Sequence, residues 1–262
     1  MRVLITGAAG LIGGIVRSEL AKDHELMLVD RRGGPGILRH DLRWYWDDRR
    51  RVKRLLFWRS WWERAFTGLD AVVHLAANGD PFGRWRRVGA PNVQSTLSVL
   101  DAAVRYGVPR VVFASSTWAV KALERSLAPR CYEANGPKIG SAAVARPLGW
   151  YGVAKAAEEA AGRLLVDQGS LRTFVVVRIG WRPSPGSLPA SPEDHAVWVG
   201  ARDLARLFRR CIEADVTGAH VVHGISAQPG SPYDRSSTHA TLGWRPEEML
   251  PISLAGKPDA GA

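Results

Sequence analysis

The chain has 262 residues, enough for one large or two small domains with a proper hydrophobic core. It contains no run of about eighteen apolar residues, and Met1 leads directly into a short apolar segment. Neither a membrane-spanning helix nor a signal peptide is therefore expected, and the cytoplasm is the default compartment. Cys131 and Cys211 lie far apart, which predicts two reduced structural thiols and no disulfide framework or metal site. The net charge is +11, and 30 of the 36 Lys and Arg residues are arginine. An anionic partner is one reading of that excess, but the arginines are spread along the chain like a solvated basic surface. Nucleic acid is thus not the expected partner.

In chain order, Arg2 to Thr6 is a short apolar run that ends in Gly7-Ala8-Ala9-Gly10-Leu11-Ile12-Gly13. A strand that closes on a glycine-rich turn and feeds a helix builds a phosphate site. Glycine lets backbone approach the ligand, and the free N–H groups of the helix's first turn face the anion. The spacing is GxxGxxG, followed by a helix predicted over about 11–21 and an apolar run from Glu25 to Val29 that ends on Asp30. An acid about twenty residues past the glycines suits a bidentate hold on a ribose diol. Gly7, Ala9, Gly10, Leu11, Ile12, Gly13, Asp30 and Arg31 are the expected cofactor contacts, with Arg31 and Arg32 able to favour a 2′-phosphate instead.

A Gly/Pro loop leads to a short third strand at Ile37-Leu38, after which Asp41 and Leu42 are placed to meet an adenine edge. Residues 42–62 form an unusual insert rich in Trp and Arg. The reading favoured is packing on the body or on a second subunit; a lid, or a nucleic-acid or membrane contact, are the alternatives. A short helix is predicted over 60–66. The strand from Ala71 then ends in Leu75, Ala76 and Ala77, whose small side chains would let a cofactor lie close. His74, alone at the end of a buried strand, reads as a satisfied core residue. A helix over about 91–106 carries Asn92, and the next strand, from Val111, stops at Ser115-Ser116-Thr117.

Residues 118–148 read as irregular, and a helix over about 150–168 carries Tyr151 and Lys155. A buried strand from Thr173 to Ile179, a Pro/Gly-rich loop from Gly180 to His195, a short strand at 196–199, a helix over 201–213 and a strand over 219–223 complete the expected elements. Strands alternating with helices predict an α/β, Rossmann-type doubly wound parallel sheet. The expected division is a dinucleotide-binding domain over 1–180 and a small C-terminal substrate-binding portion over 181–262, within the same globule.

Tyr151 and Lys155 stand four apart on a helix, so both project from one face. An ammonium beside a phenol favours the phenolate, so the lysine is expected to lower the Tyr151 pKa and make it a usable base. Ser116, at the end of a neighbouring strand, can hold the same substrate oxygen.

The motifs together identify a resemblance. Thr6-Gly7-x-x-Gly10-x-x-Gly13, Asp30, His74-Leu75-Ala76-Ala77, Asn92, Ser115-Ser116 and Tyr151-x-x-x-Lys155 resemble the extended short-chain dehydrogenases/reductases, the NAD-dependent epimerase/dehydratase family. Val112-Phe113-Ala114-Ser115-Ser116, Arg146-Pro147, Arg178-Ile179-Gly180, Trp198 with Arg202-Asp203-Leu204, and Leu242-Gly243-Trp244 are most similar to uronate dehydrogenase-like members. The resemblance implies NAD as cofactor, Tyr151 as base, and Ser116 and Lys155 as helpers in hydride transfer. It adds Asn92, Ser115, Lys155 and Ile179 to the cofactor side, and Thr117, Gly180, Trp181 and Arg182 to the substrate side. The chain departs where uronate dehydrogenases carry Asn-His after the second serine, since Thr117-Trp118 follow here. Trp181 replaces a serine, and Glu193 falls where a carboxylate-binding arginine is expected.

The expected activity is NAD-dependent oxidation of a small sugar-like or cyclic polyol by a cytoplasmic homodimer or higher homo-oligomer. An NAD-retaining sugar epimerase or dehydratase is the alternative within the fold. A cofactor-sensing or nucleic-acid-binding protein is the alternative outside enzymology, disfavoured because the Tyr/Lys pair is kept.

Overall fold

The computed structural model describes residues 1–45, 65–184, 186–187 and 189–250. Most of the Trp/Arg-rich insert, and nearly all of the helix predicted over 60–66, lie outside these residues. Seven strands form one sheet in the order β3-β2-β1-β4-β5-β6-β7: β1 (Arg2–Thr6), β2 (Glu25–Asp30), β3 (Ile37–Arg39), β4 (Ala71–His74), β5 (Arg110–Ser116), β6 (Thr173–Ile179) and β7 (Gly218–Gly224). Every pair is parallel, and β1 with β4 registers Val3 opposite Ala71 and Thr6 opposite His74. The α/β, doubly wound fold expected from the alternation is the one found. Its last strand, β7, comes from the portion beyond residue 180.

Strands buried on both faces must be apolar at every position, and side-chain alternation then divides them between two cores. Val3, Ile5, Ala71, Val73, Val112, Val175 and Val177 pack on one face with α1 (Leu11–Leu20), and with Leu204, Leu207 and Phe208 of a later helix. Leu4, Val72, Val111, Phe113, Phe174 and Val176 pack on the other with Val99, Leu100 and Ala103 of α2 (Trp85–Arg105). A third, smaller cluster of Val120, Ile139, Val197, Ile225 and Tyr233, with Trp181 against it, lies among the loops beyond β5, β6 and β7.

Several boundaries differ from expectation. The helix predicted from residue 91 begins at Trp85 and carries Pro91 inside it. A proline there withholds the N–H that would bond to the Arg87 carbonyl. Asn78 supplies the missing donor, its Nδ2 bonding Arg87 O at 3.1 Å. The irregular 118–148 stretch contains α3 (Lys121–Leu127) and short 3₁₀ turns at Thr117–Ala119 and Arg130–Tyr132. The strand expected at 196–199 shortens to a single parallel bridge between Trp181 and Trp198, flanked by hydrogen bonds of Trp181 with Val197 and Val199, because Ala196 ends a helix, α5 (Pro192–Ala196). Ser191 caps α5 by accepting from Asp194 N, and that capped start makes a helix the better local solution. The helix bearing Tyr151 is α4 (Gly149–Asp167), and α6 (Ala201–Glu213) matches expectation. One further helix, α7 (Ser236–Leu242), is not anticipated by the sequence.

Candidate active site

The connections after β1 and β4 leave for opposite sides of the sheet, which opens a crevice at the carboxyl ends of these strands. Gly7 has φ +72, and a Cβ there would sit 2.7 Å from Ala76 N, so the loop after β4 lies directly against the turn after β1. Leu75 continues the pairing by donating to Thr6 O at 3.1 Å, and Ala76 and Ala77 follow beside the turn. The first turn of α1 has Gly10 as its cap, with no capping side chain and no acid. No acid of that turn competes for the N–H groups of Leu11 and Ile12, and a bound phosphate suits the positive end of this helix.

Asp30 is buried at the end of β2, where its carboxylate accepts from Ala9 N at 3.1 Å and from Arg32 N at 2.9 Å. Arg32, rather than the exposed Arg31, crosses this corner, donating to Ala9 O at 2.6 Å with its Nε 3.6 Å from Asp30. A fixed carboxylate beside a phosphate-binding turn is suited to a ribose diol, so the residues present fit a nicotinamide dinucleotide. Asp41 makes a forked pair with Arg43, which holds its carboxyl below the usual carboxylate range. Leu42 is buried in the second core. Asn92 is buried and clamps the loop after β4, accepting from Asn78 N at 2.8 Å and donating to Asn78 O at 3.0 Å. Ile179 packs into the first core.

His74 lies between two threonines, with Thr6 Oγ1 2.6 Å from Nδ1 and Thr96 Oγ1 3.0 Å from Nε2. Burial and the nearby Lys155 charge hold its pKa down at about 3, so the ring is neutral and fully partnered. It is the satisfied core histidine that its position suggested.

Ser116, Tyr151 and Lys155 come together at the carboxyl end of β5. Gly152 allows this approach, because a Cβ there would meet Trp118 O at 2.4 Å; α4 thus presses its first turn onto the 3₁₀ turn after Ser116. The Ser116 hydroxyl caps that turn, accepting from Trp118 N at 3.2 Å, and acts on Tyr151 in the direction that favours the phenolate. Lys155 Nζ lies 4.5 Å from the Phe113 ring centre and 5.8 Å from that of Tyr151. The expected lowering of the Tyr151 pKa is not the net result. Burial raises it above the usual value, Glu158 adds to the rise, and the opposing pull of Lys155 and Ser116 is insufficient. The four-residue spacing shows the ammonium, but neither the desolvation nor the anion beside it.

Behind these residues is a set of buried acids. Ser115 donates to Glu159 Oε1 at 2.5 Å, so its hydroxyl turns toward α4. Arg178 completes a fork on Glu159 at 3.1 and 2.8 Å and reaches the carbonyls of Ser141 and Ala143 at 3.5 Å, tying the loop to the sheet. Glu158 pairs with Lys155 at 2.9 Å. Further out, Glu124 accepts from Lys121, Tyr132 and Tyr233. None of Glu124, Glu158, Glu159, Tyr132 or Tyr233 is singled out by sequence reasoning. The signal for Glu158 and Glu159 is their three- and four-residue spacing from Lys155 on one helix.

Of the residues expected to face the substrate, Thr117 is buried, and the neighbouring Trp118 meets Phe82 edge-on at 5.5 Å. Trp181 joins the third apolar cluster. Gly180 is packed under Val197, where its N–H donates to Gly224 O at 3.0 Å. Arg182 donates to Val199 O at 3.4 Å and feels Glu248, while Glu193 sits in the first turn of α5, hydrogen-bonded with Ser191.

Comparison with known proteins agrees with this geometry. The chain is 31% identical over 270 residues to the NAD-dependent glucose-6-phosphate dehydrogenase of Haloferax volcanii, covering 98% of this chain and 97% of that one. It is 29% identical over 258 residues to the L-arabinose 1-dehydrogenase (NAD(P)(+)) of the same organism, covering 94% and 96%. The crystal structure of uronate dehydrogenase from Agrobacterium tumefaciens superposes with a TM-score of 0.74 at 29% identity, covering 95% of this chain and 85% of that one. A model of the NAD dependent epimerase/dehydratase family matches residues 3–197. With the glycine turn, Asp30 and the Ser/Tyr/Lys grouping in place, the chain belongs to the NAD dependent epimerase/dehydratase family, as a dehydrogenase whose cofactor is NAD.

Proposed function

We propose that the protein oxidises one hydroxyl of a small sugar, with a neutral or phosphorylated sugar preferred to a free uronate. The observation that carries the reaction is the meeting of Ser116, Tyr151 and Lys155 at the end of β5, beside the crevice opened by Gly7. When bound, NAD supplies the hydride acceptor. Gly7, Ala9, Gly10, Leu11, Ile12 and Gly13 would hold its phosphates, and Asp30 with Arg31 or Arg32 its adenosine ribose. Asp41 and Leu42 would flank the adenine. Leu75, Ala76, Ala77, Asn92, Ser115 and Ile179 would shape the nicotinamide side. Ser116 would donate to the substrate oxygen, Tyr151 would take the hydroxyl proton, and Lys155 would stabilise the phenolate.

The substrate preference rests on where charge falls. Arg182 is half-buried and directed at Val199 and Glu248, and the Glu193 carboxylate occupies the loop that a uronate carboxylate would face. A carboxylate brought beside Glu193 without a paired cation is repelled. Thr117, Gly180, Trp181 and Arg182 would line the pocket, with Trp118 as apolar wall. The segment beyond residue 180 would then act as the substrate-binding portion of the same globule as the 1–180 unit. The named relatives act on L-arabinose, glucose 6-phosphate and uronates, which supports a small sugar and net oxidation over an NAD-retaining epimerase. The outer residues Trp85, Trp150 and Leu164 of α2 and α4 are exposed, which supports a homodimer through these helices. Its compartment would be the cytoplasm, where the buried thiols of Cys131 and Cys211 would stay reduced.

The test is NADH formation with L-arabinose, glucose 6-phosphate, galacturonate and glucuronate offered side by side with NAD. Arabinose or glucose 6-phosphate should exceed both uronates in kcat/KM by about tenfold or more. Faster uronate oxidation would show that an arginine holds the carboxylate, and would overturn the preference.

A further inference from the structure

Tyr151, Lys155 and Glu158 follow one another at four- and three-residue spacing, so α4 carries them as a single row. Lys155 Nζ lies 2.9 Å from Glu158 Oε2, and these side chains are 2% and 0% exposed. The same ammonium stands over the rings of Phe113 and Tyr151, so it is held between the phenol on one side and a carboxylate on the other. The second oxygen of Glu158, Oε1, is buried and has no hydrogen-bond partner among the described residues. Glu159, the next residue, differs in kind: Ser115 and Arg178 engage both of its oxygens. A buried carboxylate with one oxygen unmatched is costly, and an apolar side chain of similar size would pack there at less expense in desolvation. A cost kept beside the reacting residues points to a role in the reaction.

We propose that Glu158 is a positioning residue that holds the Lys155 ammonium beside Tyr151 and offsets its charge, so setting the pH at which Tyr151 becomes a base. This rests on the assignment of Tyr151 as the proton acceptor. The groups facing Tyr151 and Lys155 are few. From α4 itself they are Glu158 and, at longer range, Glu159; from β5, the Ser116 hydroxyl; from β4, the neutral His74; and from β6, Arg178, already paired with Glu159. Glu158 is therefore the carboxylate of this set matched by Lys155 alone; burial, with Glu159 beside it, raises its own pKa against the pull of that ammonium. Burial disfavours the Lys155 charge, but Glu158 and Tyr151 more than restore it, and its pKa stands above the ordinary value. The same carboxylate acts on Tyr151 in the direction that burial does, upward. Without the Glu158 charge Lys155 would lose its proton at lower pH, and below that pH, while still an ammonium, it would pull the phenol further down.

Substitution Glu158→Gln keeps an oxygen in reach of Lys155 and removes the charge. Oxidation requires Tyr151 deprotonated, so activity falls as pH drops through its pKa, and a lower pKa carries activity to lower pH. The acid limb of kcat/KM, measured with NAD and the best sugar of the panel, should move down by about one pH unit. Lys155 should also lose its proton earlier, bringing the alkaline limb down. Glu158→Asp keeps the charge at a greater distance and should move the acid limb the same way by less; it serves if the Gln variant is not recovered folded. Independently of activity, the tyrosinate absorbance of the cofactor-free protein, wild type minus Tyr151→Phe, should titrate about one unit lower in the Glu158→Gln background. An unmoved pH profile and absorbance titration in folded variants, with Tyr151→Phe inactive, would overturn the role of Glu158 alone. A Tyr151→Phe variant that remains active would overturn the reading on which it rests.

Discussion

The proposed cofactor side and the proposed substrate side of the crevice are built by different means. Around Gly7, Asp30 and the first turn of α1, the site is backbone: a turn closed against Ala76, an uncapped helix start and one carboxylate held by two N–H groups. Around Ser116, Tyr151 and the loops beyond β5 and β6, the site is side chain, with Glu158 held under it by an ion pair, and Glu159 and Glu124 by ion pairs and hydroxyls. A backbone site follows from a few residues of fixed spacing. A side-chain site depends on where long loops place their acids and cations, and its chemistry changes with each.

The largest expected effect breaks the side-chain half alone. Tyr151→Phe should lower kcat by about 10²–10⁴-fold while leaving NAD affinity within about twofold, since only the proton-accepting hydroxyl is lost. Steady-state rates beside a calorimetric NAD titration check it. Turnover within a few-fold of wild type would remove Tyr151 from the reaction.

That contrast also governs what was legible in the sequence. Gly7 to Asp30 could be read because glycines and an acid at fixed intervals have few other uses. Tyr151 and Lys155 could be read because their spacing puts both on one helical face. Glu158 and Glu159 could not, since acids in an alanine-rich helix ordinarily face solvent, and only the placement of Ser115, Arg178 and Lys155 shows them buried. The helix Lys121–Leu127 was hidden among prolines and glycines, and Ser236–Leu242 among Ser, Thr and His, whose side chains compete for backbone hydrogen bonds. The early start of α2 was hidden by Pro91, which Asn78 accommodates from outside the helix. Asn92 could be seen as polar within that helix, but not that both ends of its amide close on Asn78.

The next effect in size concerns what supports the side-chain half. Glu159→Ala leaves Arg178 buried without its counter-ion, which should cost about 3–5 kcal/mol of folding stability, read from urea unfolding monitored by circular dichroism. A loss below about 1 kcal/mol would mean that the 141–143 carbonyls and water can hold Arg178 unaided.

The smallest effect sharpens the cofactor half. Asp30 should repel a 2′-phosphate, giving NAD an advantage over NADP of about tenfold in kcat/KM, or about 1.4 kcal/mol. Arg32, which already bridges Ala9 and Asp30, works against that preference, so Arg32→Ala should widen it. A native preference for NADP would mean that the arginine dominates the corner.

A dehydrogenase moves hydride from a sugar to a cofactor that then leaves. The direct measurement supplies excess NAD and a sugar deuterated at the oxidised carbon, then follows label and NADH together. NADH should accumulate over many turnovers, each carrying one deuterium from the sugar, with a primary isotope effect where chemistry limits the rate. Epimerised sugar that retains its deuterium, with no NADH released, would rule out net oxidation.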